Sequence, residues 1–199
     1  GGNNGIYVGA TDSEVHIDDV TVSGMSGPGI NVSAGAGTRV YLAGATLRSN
    51  GGQGVYISNR SRVLLDRAHI EENGSGISLY DTGEAWLRDS VVHGNATGID
   101  AVIFSGSGPQ RLVVERTTIS GSTYGGINVQ IQSSTGQIEA VVRDATIVGN
   151  AGPGYNGINF QCFSTGAGVL TMTGTVISDH NTFNASGRQV AGPGCKAAL

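Results

Sequence analysis

The stretch GISLYDTGEAWLRDSVVHGN, residues 76–95, decides the fold. Its apolar residues Ile77 and Leu79, then Ala85 and Leu87, alternate with other side chains at period two, the pattern of short strands that bury one face. The opening phrase returns as GIYV at Gly5, GINV at Gly29, GVYI at Gly54, GIDA at Gly98, GINV at Gly126 and GINF at Gly157. A second phrase trails each copy: VHIDDVTV from Val15, VYLAGATL from Val40, VLLDRAHI from Val63, LVVERTTI from Leu112, AVVRDATI from Ala140 and LTMTGTVI from Leu170. Self-similarity at such a period marks a stacked repeat. One repeat of three short strands cannot bury its inner face alone. Stacking at about 4.8 Å pairs every strand with its equivalent above and below and builds a continuous core of Ile, Val and Leu. The expected fold is therefore all-β, a parallel β-helix (solenoid) of about seven coils with three strands per coil over residues 1–180.

Composition agrees. With 34 Gly in 199 residues, long helices are excluded, while 38% hydrophobic residues suffice for a core. The formal net charge of −4 and the lack of a basic cluster argue against nucleic acid. No apolar run approaches the ~18 to 20 residues of a membrane span, and no signal peptide is visible at Gly1, so a soluble, mature or trimmed chain is expected. A first coil starting at GGNNGIYV would expose a strand edge, which points to a piece of a larger protein or a missing N-terminal cover.

Columns of equivalent residues set the register. Asn50, Asn73, Asn95 and Asn150 follow the third strand of their coils, where side-chain amides can bond from coil to coil. Asp66, Arg88, Glu115 and Arg143 fill one position in four consecutive coils and Arg67, Asp89, Arg116 and Asp144 the next, so sign alternates along both. Cys162 and Cys195, the only cysteines, predict one disulfide pinning the closing tail, residues 181–199, onto the last coils. Such a bond favours a secreted, periplasmic or cell-surface location.

From about Gly5 to His180 the repeat resembles the right-handed parallel β-helix family, the pectin-lyase-like fold, and that resemblance supplies the handedness. It also implies polysaccharide lyases, hydrolases, esterases and epimerases as relatives. The signatures of those enzymes do not accompany it: there is no Asn-Thr-Asp with Asp-Asp and Gly-His-Gly, no Trp-Ile-Asp-His and no Asp-Pro-His-Glu. A catalytic role would have to fall on Asp81, Glu84 and Asp100, and an inverting hydrolase would need two carboxyls about 6.5 to 9.5 Å apart. His16, His69, His93 and His180 fall in different coils or columns, so neither a metal site nor a cofactor is expected. The outward threonines Thr21, Thr46, Thr118 and Thr146 are interrupted by His69, Val91 and Val176, unlike an ice-binding column.

The outward position of the first phrase reads Tyr7, Asn31, Tyr56, Ser78, Asp100, Asn128 and Asn159, a strip suited to a sugar chain. That of the second phrase gives Tyr41, Leu64, Trp86, Val113 and Val141, apolar for an exterior and a candidate protein contact. Connections between the two phrases are expected to lengthen to about ten residues at 102–110, 130–139 and 161–169, leaving a shelf bordered by Tyr56, Trp86 and Asp100 with Arg60, Arg62, Asp81 and Glu84 on its short loops. The expected function is a non-catalytic scaffold that binds polysaccharide through Tyr56, Trp86, Asp100, Asn128 and Asn159. The alternatives are a polysaccharide lyase, hydrolase or epimerase, and an adhesin or oligomerisation module.

Overall fold

The computed structural model describes residues 2–105, 109–150, 157–163, 165–178, 188–191 and 194–198; of 188–191 only the backbone is considered. The chain forms three parallel sheets of 8, 8 and 7 strands, here called A, B and C. Each coil contributes one strand to each sheet in turn, as Ser75–Tyr80, Glu84–Arg88 and Val91–His93 do in the fourth. Register follows the repeated phrases: Ile77 pairs with Val55 and Ile99, and Trp86 with Leu64 and Val113. Ile30, Ile57, Leu65, Ile77, Leu87 and Ile99 lie within one continuous buried core.

The repeated glycine is explained by coil spacing. A Cβ placed on Gly126 would lie 2.6 Å from the Gly157 carbonyl oxygen, and one on Gly54 2.7 Å from that of Gly76. A methyl group at this column would push two coils apart.

Between sheets B and C the chain turns in two residues at every coil. The first of the two adopts positive φ throughout: Asp19 52°, Gly44 64°, Arg67 50°, Asp89 51°, Arg116 44°, Asp144 50° and Gly174 58°. The second faces inward, and Ala45, Ala68, Ser90, Thr117 and Ala145 are buried. Ser90 donates to the Arg88 carbonyl at 2.6 Å and accepts from the Ala68 amide at 2.9 Å, satisfying backbone groups that the corner would otherwise strand. The second predicted charge column thus sits on left-handed backbone. Arg116 makes two bonds to Asp89, at 2.7 and 2.8 Å, Arg88 bonds Asp66 at 2.7 Å, and Arg143 pairs with Glu115.

The amide column is buried and bonded. Asn73 Oδ1 accepts from the Asn50 side chain at 2.9 Å and the Asn50 backbone at 3.1 Å, while Asn73 Nδ2 donates to Asn95 Oδ1 and to the Leu47 carbonyl, both at 3.0 Å. Ser122 takes the place of an asparagine between Asn95 and Asn150, and its buried hydroxyl has no partner.

The A-to-B connections differ from expectation. The strands themselves lengthen: Thr97–Ile103 and Pro109–Glu115 each run 7 residues, as do Gln137–Arg143 and Ala167–Thr173. Alternation continues past the repeated phrase, because Ile103, Ile131 and Ile138 find buried places against their neighbours. Extra core on the inside draws residues expected in loops into the ladder. Residues 106–108 lie outside the described residues.

Of the expected closing tail, Arg188–Ala191 pairs with the sheet A strand Ile158–Cys162, and Cys195–Ala198 with the sheet B strand Ala167–Thr173. The Cys162–Cys195 disulfide joins this segment to the seventh coil with a Cα separation of 5.7 Å. Apart from Gly194, which is described, the rest of that tail, 181–187, 192–193 and 199, and His180 lie outside the described residues.

Candidate functional site

Two outward faces carry chemistry. On sheet A, Tyr56, Ser78, Asp100, Asn128 and Asn159 stand in register in successive coils. Asn159 Nδ2 donates to Asn128 Oδ1 at 2.8 Å, and Asn128 Nδ2 donates to Asp100 Oδ1 at 2.7 Å. The row of amides therefore points its donors toward one carboxylate, and Gln130 reaches Asn128 Oδ1 from the side at 3.4 Å. Burial pushes the Asp100 carboxyl above the usual range, against a smaller downward pull from Asn128. Asn159 Oδ1 is buried and, among the described residues, has no partner.

Beside this polar row runs an aromatic one. Tyr56 and Tyr80 rings lie 5.3 Å apart, and Tyr80 and Phe104 5.7 Å apart, so three adjacent coils contribute to a stack. Phe104 is 47% exposed. Asp81 Oδ1 accepts from the Phe104 and Ser105 amides at 2.9 and 3.1 Å, which holds Phe104 at the end of the stack. Desolvation, reinforced by Asp100, Tyr56 and Asp81, raises the Tyr80 hydroxyl and keeps it a protonated donor.

On sheet B the outward column reads His16, Tyr41, Leu64, Trp86, Val113 and Val141. His16 stacks on Tyr41 with centroids 4.7 Å apart, and the Arg111 guanidinium lies over the Trp86 ring at 5.7 Å. Val113 is only 3% exposed, so the apolar stripe is interrupted there, between the half-exposed segment Tyr41 to Trp86 and the half-exposed Val141. A second column two residues before it reads Glu14, Arg39, Arg62, Glu84, Arg111 and Glu139. Arg62 pairs with Glu84 at 3.3 Å and Arg111 with Glu139 at 3.2 Å.

Of the residues expected to bind ligand, Tyr56, Asp100, Asn128 and Asn159 share one face, whereas Trp86 stands on sheet B. The three carboxyls considered for catalysis each have a partner: Asp81 holds backbone amides, Glu84 holds Arg62 and Asp100 holds Asn128. Tyr80 and Phe104 escaped the sequence argument because only the first outward position of the phrase was followed. The signal was there, since Tyr80 comes two residues after Ser78 and so faces the same way. The charged column starting at Glu14 could likewise have been found two residues ahead of the apolar one. Among the described residues no group of three His, Cys, Asp or Glu could hold a metal ion, and no helix is long and apolar enough to cross a membrane.

The coil geometry has a counterpart among known families. Residues 4–189 match the family model described as a right-handed beta helix region. The chain belongs to the right-handed β-helix family. Comparison with curated proteins and with solved structures returned no match. Membership of the β-helix family fixes the handedness of the coils and the scaffold, and assigns no reaction to it.

Proposed function

We propose that this β-helix is a polysaccharide-binding scaffold without a catalytic centre of its own, and that the sugar chain lies along sheet A. The observation that carries the proposal is the pairing of two parallel rows across several coils. One is the bonded row Asp100, Asn128, Asn159; the other is the stack Tyr56, Tyr80, Phe104. Sugars offer apolar C–H faces and hydroxyl edges, and these rows provide aromatic surface and polar partners side by side. Because each coil advances only about 4.8 Å, a chain running along the axis would meet a fresh set of partners at every step. The disulfide supports a place in an oxidising compartment, outside the cytoplasm.

Calorimetric titration with a length series of neutral and acidic oligosaccharides tests this. Affinity should rise with chain length, and Asp100→Ala or Tyr80→Ala should each weaken binding by about 1 to 3 kcal/mol. Product analysis on the same glycans should show neither new reducing ends nor unsaturated sugars. Absence of saturable binding to any glycan would refute the proposal, and released products would replace it with a lyase or hydrolase acting through Asp81, Glu84 or Asp100.

A further inference from the structure

The half-exposed part of sheet B is a slot with walls, a floor and a charged rim. Tyr41, Leu64 and Trp86 occupy one column in three consecutive coils, so the two aromatic residues stand two coil steps apart, about 9 to 10 Å, with the shorter Leu64 between them. His16 belongs to the coil before Tyr41 and stacks on it; Arg111 belongs to the coil after Trp86 and lies over its ring. Each ring is thus braced from outside by a neighbour, and both line one cavity, with Leu64 in the column between them. The resulting cavity measures about 330 Å³ and is lined by Tyr41, Leu64, Trp86 and the arginines Arg39 and Arg62.

The rim is compensated only at Arg62. Arg39 and Arg62 are register partners, a like-charge pair in adjacent coils that works against folding unless something neutral or negative intervenes. Arg62 has Glu84, but among the described residues the side chains of Arg39 and Arg60 form no hydrogen bond or ion pair, the one bond of Arg39 outside the ladder being from its backbone N–H to the Ser13 carbonyl. Arg39, Arg60 and Arg62 also line an adjoining cleft of about 260 Å³, which has Glu84 as its acidic residue. In a chain of net charge −4, three arginines sharing one carboxylate are a local reversal of sign.

We infer that this slot binds a single sugar ring carrying a carboxylate or sulfate group, with the ring between Tyr41 and Trp86 and the oxyanion on Arg39, Arg60 and Arg62. Guanidinium groups suit planar oxyanions because their N–H donors are fixed in a fork, and a cavity of this size holds one ring in preference to an extended chain. The site lies on a different sheet from the axial glycan face proposed above, and rests on that proposal only in taking the ligand to be a sugar. The acidic first coil of a second copy, which holds Asp12, Glu14, Asp18 and Asp19, would meet the arginines, but its sheet B ring, His16, is already stacked on its own Tyr41, and its other ring, Tyr7, stands on sheet A.

Trp86 is the sole tryptophan, so its fluorescence reports on the slot directly. Titrations would use an oligouronate, a sulfated disaccharide, their neutral counterparts, inorganic sulfate and an aspartate-rich peptide, on the wild-type chain and on Arg39→Gln, Arg60→Gln and Asp100→Asn. Neither arginine substitution strands a partner, so circular dichroism should show the fold intact. We expect saturable quenching by at least one acidic sugar, tenfold or weaker affinity for its neutral counterpart, a loss of about tenfold in each arginine variant, and no change in Asp100→Asn. The uronate and sulfate arms identify the anion. Equal binding of neutral and acidic sugars, tighter binding of the peptide, or sedimentation showing a dimer that shields Trp86 would overturn the inference. Glycan binding that leaves Trp86 silent and is lost in Asp100→Asn would also overturn it while leaving the sheet A proposal standing.

Discussion

Asn73→Ala tests whether the buried amide column holds the coils in register. The side chain is 4% exposed and makes four hydrogen bonds. Truncation leaves the Asn50 backbone N–H without an acceptor. Asn50 Nδ2 retains only its 3.4 Å bond to the Val22 carbonyl, while Asn50 Oδ1 still accepts from the Met25 backbone N–H at 3.1 Å. Asn95 Oδ1 is less affected, because the Asn73 backbone N–H still donates to it at 2.9 Å. One orphaned buried donor costs about 1 to 3 kcal/mol, and the loss of the remaining bonds adds roughly 1 kcal/mol, so the expected destabilisation is about 2 to 4 kcal/mol. Ser122→Ala is the contrasting control: its hydroxyl is buried in the same column but, among the described residues, bonded to nothing, so its removal should not destabilise and should raise stability by about 1 kcal/mol. Urea unfolding followed by Trp86 fluorescence and by circular dichroism reads both variants, with the probe strand lying between Asn73 and Asn95 along the chain. Equal midpoints for the two variants would refute the idea that the bonds, and not mere burial, fix the register.

Three further outcomes are expected. Gln110 is buried with both amide atoms unpartnered among the described residues, so Gln110→Met should raise stability by about 1 to 3 kcal/mol in the same urea assay; a loss of stability would mean that the amide is used. Reducing the Cys162–Cys195 bond, which closes a span of 33 residues, should remove about 3 to 4 kcal/mol locally and speed hydrogen exchange at 158–178 before the middle coils, whereas uniform acceleration would contradict local anchoring. Burial holds the folded Asp100 carboxyl above its unfolded value, so the folded state binds that proton more tightly. Its contribution favours folding below the unfolded value and declines as pH rises through the folded one; Asp100→Asn should erase that part of the pH profile, and an unchanged profile would place the carboxyl in water.

The solenoid was legible because each coil repeats one short pattern, and because the column residues that fix register, such as Asn73 and Arg88, recur at equivalent places. The wide coils were not. Residues 102–103, 109–110, 130–131 and 137–138 looked like loop, since a period-two run only becomes strand when a neighbouring coil supplies the matching half of the ladder. For the site, the column from Tyr56 to Asn159 could be read by counting, yet the separation of Trp86 from that face could not. Spacing along the chain says which residues share a sheet and says nothing of how sheets A and B face away from each other. The bracing of Tyr41 by His16 and of Trp86 by Arg111 depends on side-chain contacts that no pattern of letters contains.

The two corners flanking sheet B tolerate change very differently. At the B-to-C corner the chain always has two residues, a left-handed one followed by an inward one. One added residue there would turn the next strand inside out and expose its apolar side chains. At the A-to-B corner, strand length already varies between coils, from 3 residues in Ile30–Val32 to 7 in Thr97–Ile103, with the coils above and below still paired. Segments at that margin can be exchanged between coils or replaced by foreign ones while the remaining two sides of the prism keep their stacking. Both proposed sugar sites border this margin, so a lineage could rewrite what the molecule grips by editing one seam of an otherwise fixed chassis.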